Sequence, residues 1–247
     1  MKNWICIVLV VLSCDKENGW DCIQKSGTII ERTFSVEPFE KILVDRDVEL
    51  ILKEGSDFNV LIQTGENLIG DIEVNVIENR LELSDNNTCN YFRDYGITKI
   101  YVTAPNITEI RNSSQFEVSS DGVLTYPELR LLSEDFTESD AFAVGDFRLE
   151  VNTDQLQITS NSISSYYITG KANNLNISFF SGGGRFEGAH LIAQDVNVFH
   201  RGSNDMIVNP QQSLYGKMTG TGDVIVVNTP PTVDVEVLYI GSVVFLD

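Results

Sequence analysis

Apolar and polar residues alternate along this chain in short runs, and Gly, Asn, Asp or Pro closes each run. Lys41–Val44, Val48–Leu52, Asn59–Ile62, Ile72–Val76, Arg80–Leu83 and Lys99–Val102 all follow this form. A period of two puts alternate side chains on opposite faces of a strand. The Val, Ile, Thr and Phe that fill the runs suit a pleated, half-buried surface. Helical periodicity is nearly absent, so the pattern predicts an all-β protein.

After residue 150 the pattern acquires a longer period. Leu156-Gln-Ile158, Leu175-Asn-Ile177, Val196-Asn-Val198, Leu214-Tyr-Gly216 and Val233-Asp-Val235 start 19, 21, 18 and 19 residues apart. A second series, Ile168, Phe186, Ile207, Ile225 and Val244, keeps step with it at spacings of 18, 21, 18 and 19. Two apolar tracks in phase over five cycles point to stacked coils that share one core, since no single coil of that length buries its own apolar residues. The expected architecture is a parallel β-helix of about 18–21 residues per coil, with an ordinary β-sandwich as the competing reading. Leu129-Arg-Leu131 joins the first track only across an inserted stretch. Residues 31–125 show strands without a clean period and are expected to be irregular coils or a sandwich-like cap.

The N-terminus reads as an address. Lys2 precedes the apolar run Trp4–Leu12, which is too short to cross a bilayer but fits the core of a signal peptide. Val11-Leu12-Ser13-Cys14 resembles a bacterial lipobox, which makes 1–13 a lipoprotein signal peptide and Cys14 the acylated first residue of the mature chain. The competing reading is an ordinary secretory signal with an incidental cysteine. Residues 14–30 then form the tether. Its Asp15-Lys16-Glu17 resembles the acidic segment that favours surface export of Bacteroides-type lipoproteins, and a plain solvated linker is the alternative. These readings imply an outer-membrane lipoprotein held by lipid and exposed at the cell surface, or else facing the periplasm.

Cysteine arithmetic follows from that address. Cys6 leaves with the signal and Cys14 carries lipid, so Cys22 and Cys89 remain as a pair in an oxidising compartment. A disulfide between them is expected, with two free thiols or a catalytic cysteine as rivals. Charge narrows the partners: 36 acidic against 17 basic residues give a formal charge of −19. That balance excludes nucleic acid, where each phosphate contact calls for a Lys or Arg.

Catalytic signatures are missing. The chain has two histidines, His190 and His200, and contains no Gly-x-Ser-x-Gly, His-Glu-x-x-His or Cys-x-x-Cys. Ser181-Gly-Gly-Gly184 offers an anion nest or, more simply, a tight corner. Glu134, Asp135, Glu138 and Asp140 supply hard oxygen ligands of the kind Ca²⁺ takes, but without the spacing of a calcium loop. Lys171, Arg185, Arg201 and Lys217 are the candidate bases if a polysaccharide lyase or hydrolase were built on the same scaffold. No catalytic residue, metal or cofactor is assigned. Tyr91-Phe92, Tyr95, Tyr166-Tyr167 and Phe179-Phe180 come in near-adjacent groups, and one ring of each adjacent pair is expected to face outward. Such rings could stack on a glycan or on a surface protein.

Four stretches carry a family resemblance. They are Phe39-Glu-Lys-Ile42 with Val48-Glu-Leu-Ile51; Gly65-Glu-Asn67-Leu68 with Arg80-Leu-Glu-Leu83; Cys89-Asn90-Tyr91-Phe92-Arg93; and Gly220-Thr-Gly222-Asp223-Val224 with Pro230-Pro231. In these the chain resembles the auto-transporter adhesin head GIN domain family of secreted and lipid-anchored proteins from Bacteroides-type bacteria, over about residues 30–247. The resemblance implies a right-handed β-helix over 31–247 and an adhesive or structural role, and it supports pairing Cys89 with Cys22. Ile240-Gly241-Ser242-Val243 lacks a second glycine that members often carry. No ligand-binding residue transfers from the family.

Overall fold

The computed structural model describes residues 25–87, 96–136 and 142–246. The protein is all-β, with nineteen strands among the described residues and one short 3-10 turn, Ile69–Asp71. In the N-terminal half these are β1 (Ile29–Phe34), β2 (Lys41–Val44), β3 (Glu49–Glu54), β4 (Asn59–Gly65), β5 (Ile72–Ile77), β6 (Arg80–Asp85), β7 (Lys99–Ala104), β8 (Glu109–Asn112), β9 (Val118–Leu124) and β10 (Glu128–Ser133). There follow β11 (Phe147–Ser160), β12 (Ser165–Phe179), β13 (Arg185–Glu187), β14 (Leu191–His200), β15 (Met206–Val208), β16 (Pro210–Met218), β17 (Val224–Val226), β18 (Thr232–Val237) and β19 (Val243–Phe245).

From β10 onward the strands stack in parallel, and the first sequence track reappears as register. Leu129 pairs with Leu156, Leu156 with Leu175, Leu175 with Val196, Val196 with Leu214 and Leu214 with Val233. The first five of these inward residues are at most 1% exposed, so each level covers the apolar row of the next. Val233 on the last level is 41% exposed, because nothing among the described residues stacks beyond it.

The second track needs correction. The inward row runs Phe147, Tyr166, Phe186, Met206, Val224 and Val243. Ile207, Ile225 and Val244 pair with one another on the outward row, one residue out of phase with Phe186. Met206-Ile207-Val208 and Val224-Ile225-Val226 are apolar on both faces, so composition does not reveal which face is buried, and a one-residue slip exchanges the two.

The N-terminal half departs further from a uniform parallel stack. β2 lies between β6 and β8, and β3 between β7 and β9, all in parallel. Strands that neighbour in space are therefore not consecutive in sequence. β4 runs antiparallel to both β1 and β7, and β5 antiparallel to β6, so the sheet as a whole is mixed. The β5–β6 hairpin turns on Glu78 and Asn79, with φ of 48° and 66°. Positive φ at both central residues is what a two-residue turn matched to strand twist requires. The two walls meet in β11, whose first half continues β9 and whose second half continues β10. The sheet thereby curls nearly closed around one continuous apolar core from Phe39 to Val226.

Candidate interaction surface

Parallel in-register pairing turns the outer face of β11, β12, β14, β16 and β18 into rows of like side chains. One row is Gln157, Asn176, Asn197, Tyr215 and Asp234; the next is Thr159, Ser178, Phe199, Lys217 and Glu236. Asn197 donates to the Asn176 side chain at 3.4 Å, and Lys217 pairs with Glu236 at 3.0 Å. Tyr215 is 44% exposed in the middle of the face.

Rings continue this face toward the 134–136 segment. Phe180 contacts Phe199 with centroids 5.2 Å apart and Phe136 at 5.8 Å. Phe136 and Phe180 are both exposed, while their chain neighbour Phe179 is buried. The adjacent tyrosines divide in the same way: Tyr166 is buried against Phe147, stacked at 4.9 Å, and Tyr167 lies outside under the Arg148 guanidinium at 4.3 Å. Outward-facing rings among hydroxyls and carboxamides form an amphipathic surface of the kind that docks a polar partner with apolar patches. Tyr91, Phe92 and Tyr95 lie outside the described residues.

Glu134 and Asp135 are engaged by the protein itself. Glu134 is buried and takes the Arg111 guanidinium at 2.6 Å, while its other oxygen accepts the Phe136 N–H. Asp135 accepts from the Asn161 side chain. Glu138 and Asp140 lie outside the described residues. Among the described residues no three His, Cys, Asp or Glu side chains are placed to hold a metal ion.

The candidate bases are scattered rather than gathered. Arg185 pairs with Glu187 and reaches Asp205 at 3.8 Å. These carboxylates raise its pKa, the Glu187 hydrogen bond first. Lys217 is spent on Glu236, Arg201 follows His200 at the end of β14, and Lys171 lies at a separate corner. Cys14, Cys22 and Cys89 fall outside the described residues.

The glycine motifs explain themselves as corners. The Ser203 N–H donates to the Gly182 carbonyl and the Gly184 N–H to the Ser162 carbonyl, so the Gly-rich run is tied to its neighbouring levels. At Gly222 a Cβ would sit 2.1 Å from the Asn204 carbonyl oxygen, so only glycine permits this approach. The aspartate that follows repeats a role at each level. Asp205 accepts the Asp223 N–H, and Asp223 accepts the Ser242 N–H.

His200 lies inside these corners, fully buried beside Phe179, and was not singled out by its sequence context. Burial lowers its pKa, and the Asn204 backbone with Asp205 and Asp223 only partly offsets this. The sign follows from linkage. Below about pH 6.5 the unfolded chain takes up a proton that the folded site resists, so stability falls with pH until the folded site also titrates. His200→Leu is expected to remove that slope. Between pH 7.5 and pH 5 the wild-type urea midpoint should fall relative to that of the variant, whose own midpoint lacks this contribution, and parallel curves would refute the assignment.

With this geometry in hand, the chain can be set beside known proteins. A family model described as "putative auto-transporter adhesin, head GIN domain" matches residues 38–230. The chain belongs to this family. Solved structures share the fold at low identity. An adhesin so described from Bacteroides fragilis is 20% identical with a TM-score of 0.78, covering 90% of this chain and 100% of its own. One from Parabacteroides merdae is 14% identical with a TM-score of 0.65, covering 91% and 99%. A protein from Parabacteroides distasonis described as lipid-binding is 15% identical with a TM-score of 0.62, covering 91% and 100%. No curated protein matches the chain. The family and these neighbours are described as adhesins or a lipid-binding protein.

Proposed function

We propose that this GIN-domain protein is a lipid-anchored adhesion module of the bacterial envelope. Residues 1–13 are its signal peptide, Cys14 carries the lipid, 14–30 form the tether and 31–247 the head. The head is a right-handed parallel β-helix in its C-terminal half, a reading supported by in-register parallel levels recurring at 19 to 21 residues in their side-chain bonds. A Cys22–Cys89 disulfide staples the tether end to that head. The outward face of β11, β12, β14, β16 and β18 meets a glycan or a surface protein.

The observation that carries this reading is that face: rows of carboxamides, hydroxyls and rings presented on a rigid ladder, with Arg185 and Lys217 held by carboxylates. A rigid platform lowers the ordering cost of binding. Arg185 and Lys217, tied in surface ion pairs, are poorly placed to abstract a proton, which disfavours a lyase.

The test is protease accessibility of the tagged chain on intact cells, beside a Cys14→Ala variant. Digestion of the wild type, with the variant released from the membrane fraction, is the expected result. Protection until the envelope is broken would refute surface adhesion, and unchanged membrane retention of the variant would refute the lipid anchor.

A further inference from the structure

A groove of about 350 Å³ opens at the corner between the two halves of β11 and β12, and its lining shares no residue with the two outward rows. Two rows cross it. Asn152, Lys171 and Ile192 are register partners on β11, β12 and β14. Two residues further along the same strands come Asp154, Asn173 and Gln194, with Thr125 and Pro127 closing one end. Asp154 accepts from the Asn173 side chain at 2.7 Å. Among the described residues, Asn152, Lys171 and Gln194 have no side-chain partner. The groove therefore holds an ammonium, two free carboxamides and a half-used carboxylate beside the apolar Ala172, Pro127 and Ile192.

We propose that this groove is a binding subsite for uncharged sugar residues of a glycan. The inference names a ligand class for the adhesion role and rests on that reading. Vicinal hydroxyls both donate and accept, so they satisfy an ammonium, carboxamides and a carboxylate together, while a sugar's C–H face covers Ile192 and Pro127. Other ligand classes fit less well. An anion would meet one cation with Asp154 beside it, on a chain of formal charge −19. An apolar ligand would strip water from the unpartnered polar groups without replacing their hydrogen bonds. An extended peptide adds to a free strand edge, whereas β12 is hydrogen-bonded to neighbours on both sides here. Strand spacing sets successive rows about 4.8 Å apart, which gives a sugar chain a regular set of anchors along the stack.

The test uses the full chain on beads, probed with immobilised neutral oligosaccharides, with sialylated and sulfated ones, and with extended peptides. Lys171→Ala, Asn152→Ala and Gln194→Ala are compared with Lys53→Ala on β3, outside both the groove and the outward rows. All four side chains are exposed or half-exposed, and unchanged circular dichroism and melting confirm folding. Neutral oligosaccharides are expected to bind, with Lys171→Ala weakening them about tenfold and Lys53→Ala leaving them unchanged. Binding of acidic glycans or peptides alone, neutral binding untouched by the groove variants, or no glycan binding would each overturn the proposal. Adherence of intact cells that survives all three groove variants would overturn the groove while leaving the adhesion module standing. Periplasmic protection of the chain would instead overturn the module.

Discussion

Arg111→Ala should lower stability by about 3–5 kcal/mol, far more than any surface ion pair would contribute. The pair it breaks is buried on both sides, with Arg111 and Glu134 side chains 9% and 6% exposed and 2.6 Å apart. Arg111 also donates to the Glu134 backbone carbonyl at 3.2 Å, so its loss leaves both a carboxylate and a carbonyl short of a donor. The cost comes chiefly from a buried carboxylate that has lost its counter-ion, so a double variant, Arg111→Met with Glu134→Leu, should recover much of the loss. Urea unfolding measures both. A single-variant cost below about 1 kcal/mol would mean that the pair is solvated and behaves as a surface pair. The same change reaches the outer face, because Glu134 also holds the Phe136 N–H and Phe136 packs on Phe180. Hydrogen exchange at 134–136 should accelerate in Arg111→Ala. Glu134 and Asp135 are thus engaged in anchoring contacts within the protein.

Sequence alone made the C-terminal stack legible wherever polar and apolar residues alternate strictly. Leu156, Leu175, Val196 and Leu214 are flanked by polar residues at nearly every level, so facing was unambiguous and register followed. Ile207 and Ile225 sit in runs apolar on both faces, and there facing could not be read. In the first hundred residues no period emerges, because Lys41 pairs with Arg80 on one side and Glu109 on the other. Such pairings are set by the three-dimensional path and leave no repeat in the chain. The antiparallel β5–β6 pair turns on Glu78-Asn79, which lacks the glycine that most often marks a two-residue hairpin turn in a sequence.

The site divides along the same line. That one ring of each adjacent pair faces outward was legible; that Phe180 and Tyr167 are the outward members follows only from the structure. The Arg111–Glu134 pair was not, since nothing near either residue announces the other. The groove at Lys171 was equally hidden: its polar residues look like ordinary solvated positions until register places Asn152, Lys171 and Ile192 side by side. What the ladder adds to composition is convergence, and convergence separates a binding surface from a merely polar one.

Convergence in turn depends on the stack staying in register, and Phe179→Ala tests that dependence directly. Phe179 is fully buried between Ser160 and His200 on the inward row, with its ring 5.7 Å from Tyr166 and 6.2 Å from His200. Truncation removes a ring packed against Tyr166 of its own strand and His200 of the next level, and a parallel ladder cannot collapse into the void without breaking hydrogen bonds. The expected loss is about 3–5 kcal/mol. Val237 occupies the same inward row on the last level, where it is 43% exposed, so Val237→Ala should cost less than about 1 kcal/mol. In a stack whose stability sums over levels and their interfaces, the interior truncation should also loosen its neighbours. Hydrogen-exchange protection is expected to fall in β11 and β14 while β2 and β6, several levels away, keep theirs. Equal costs for the two truncations, or uniform loss of protection along the chain, would show that the levels unfold as one unit. The outward rows of Asn176, Asn197 and Tyr215 would then owe their alignment to the whole molecule rather than to the level beneath them.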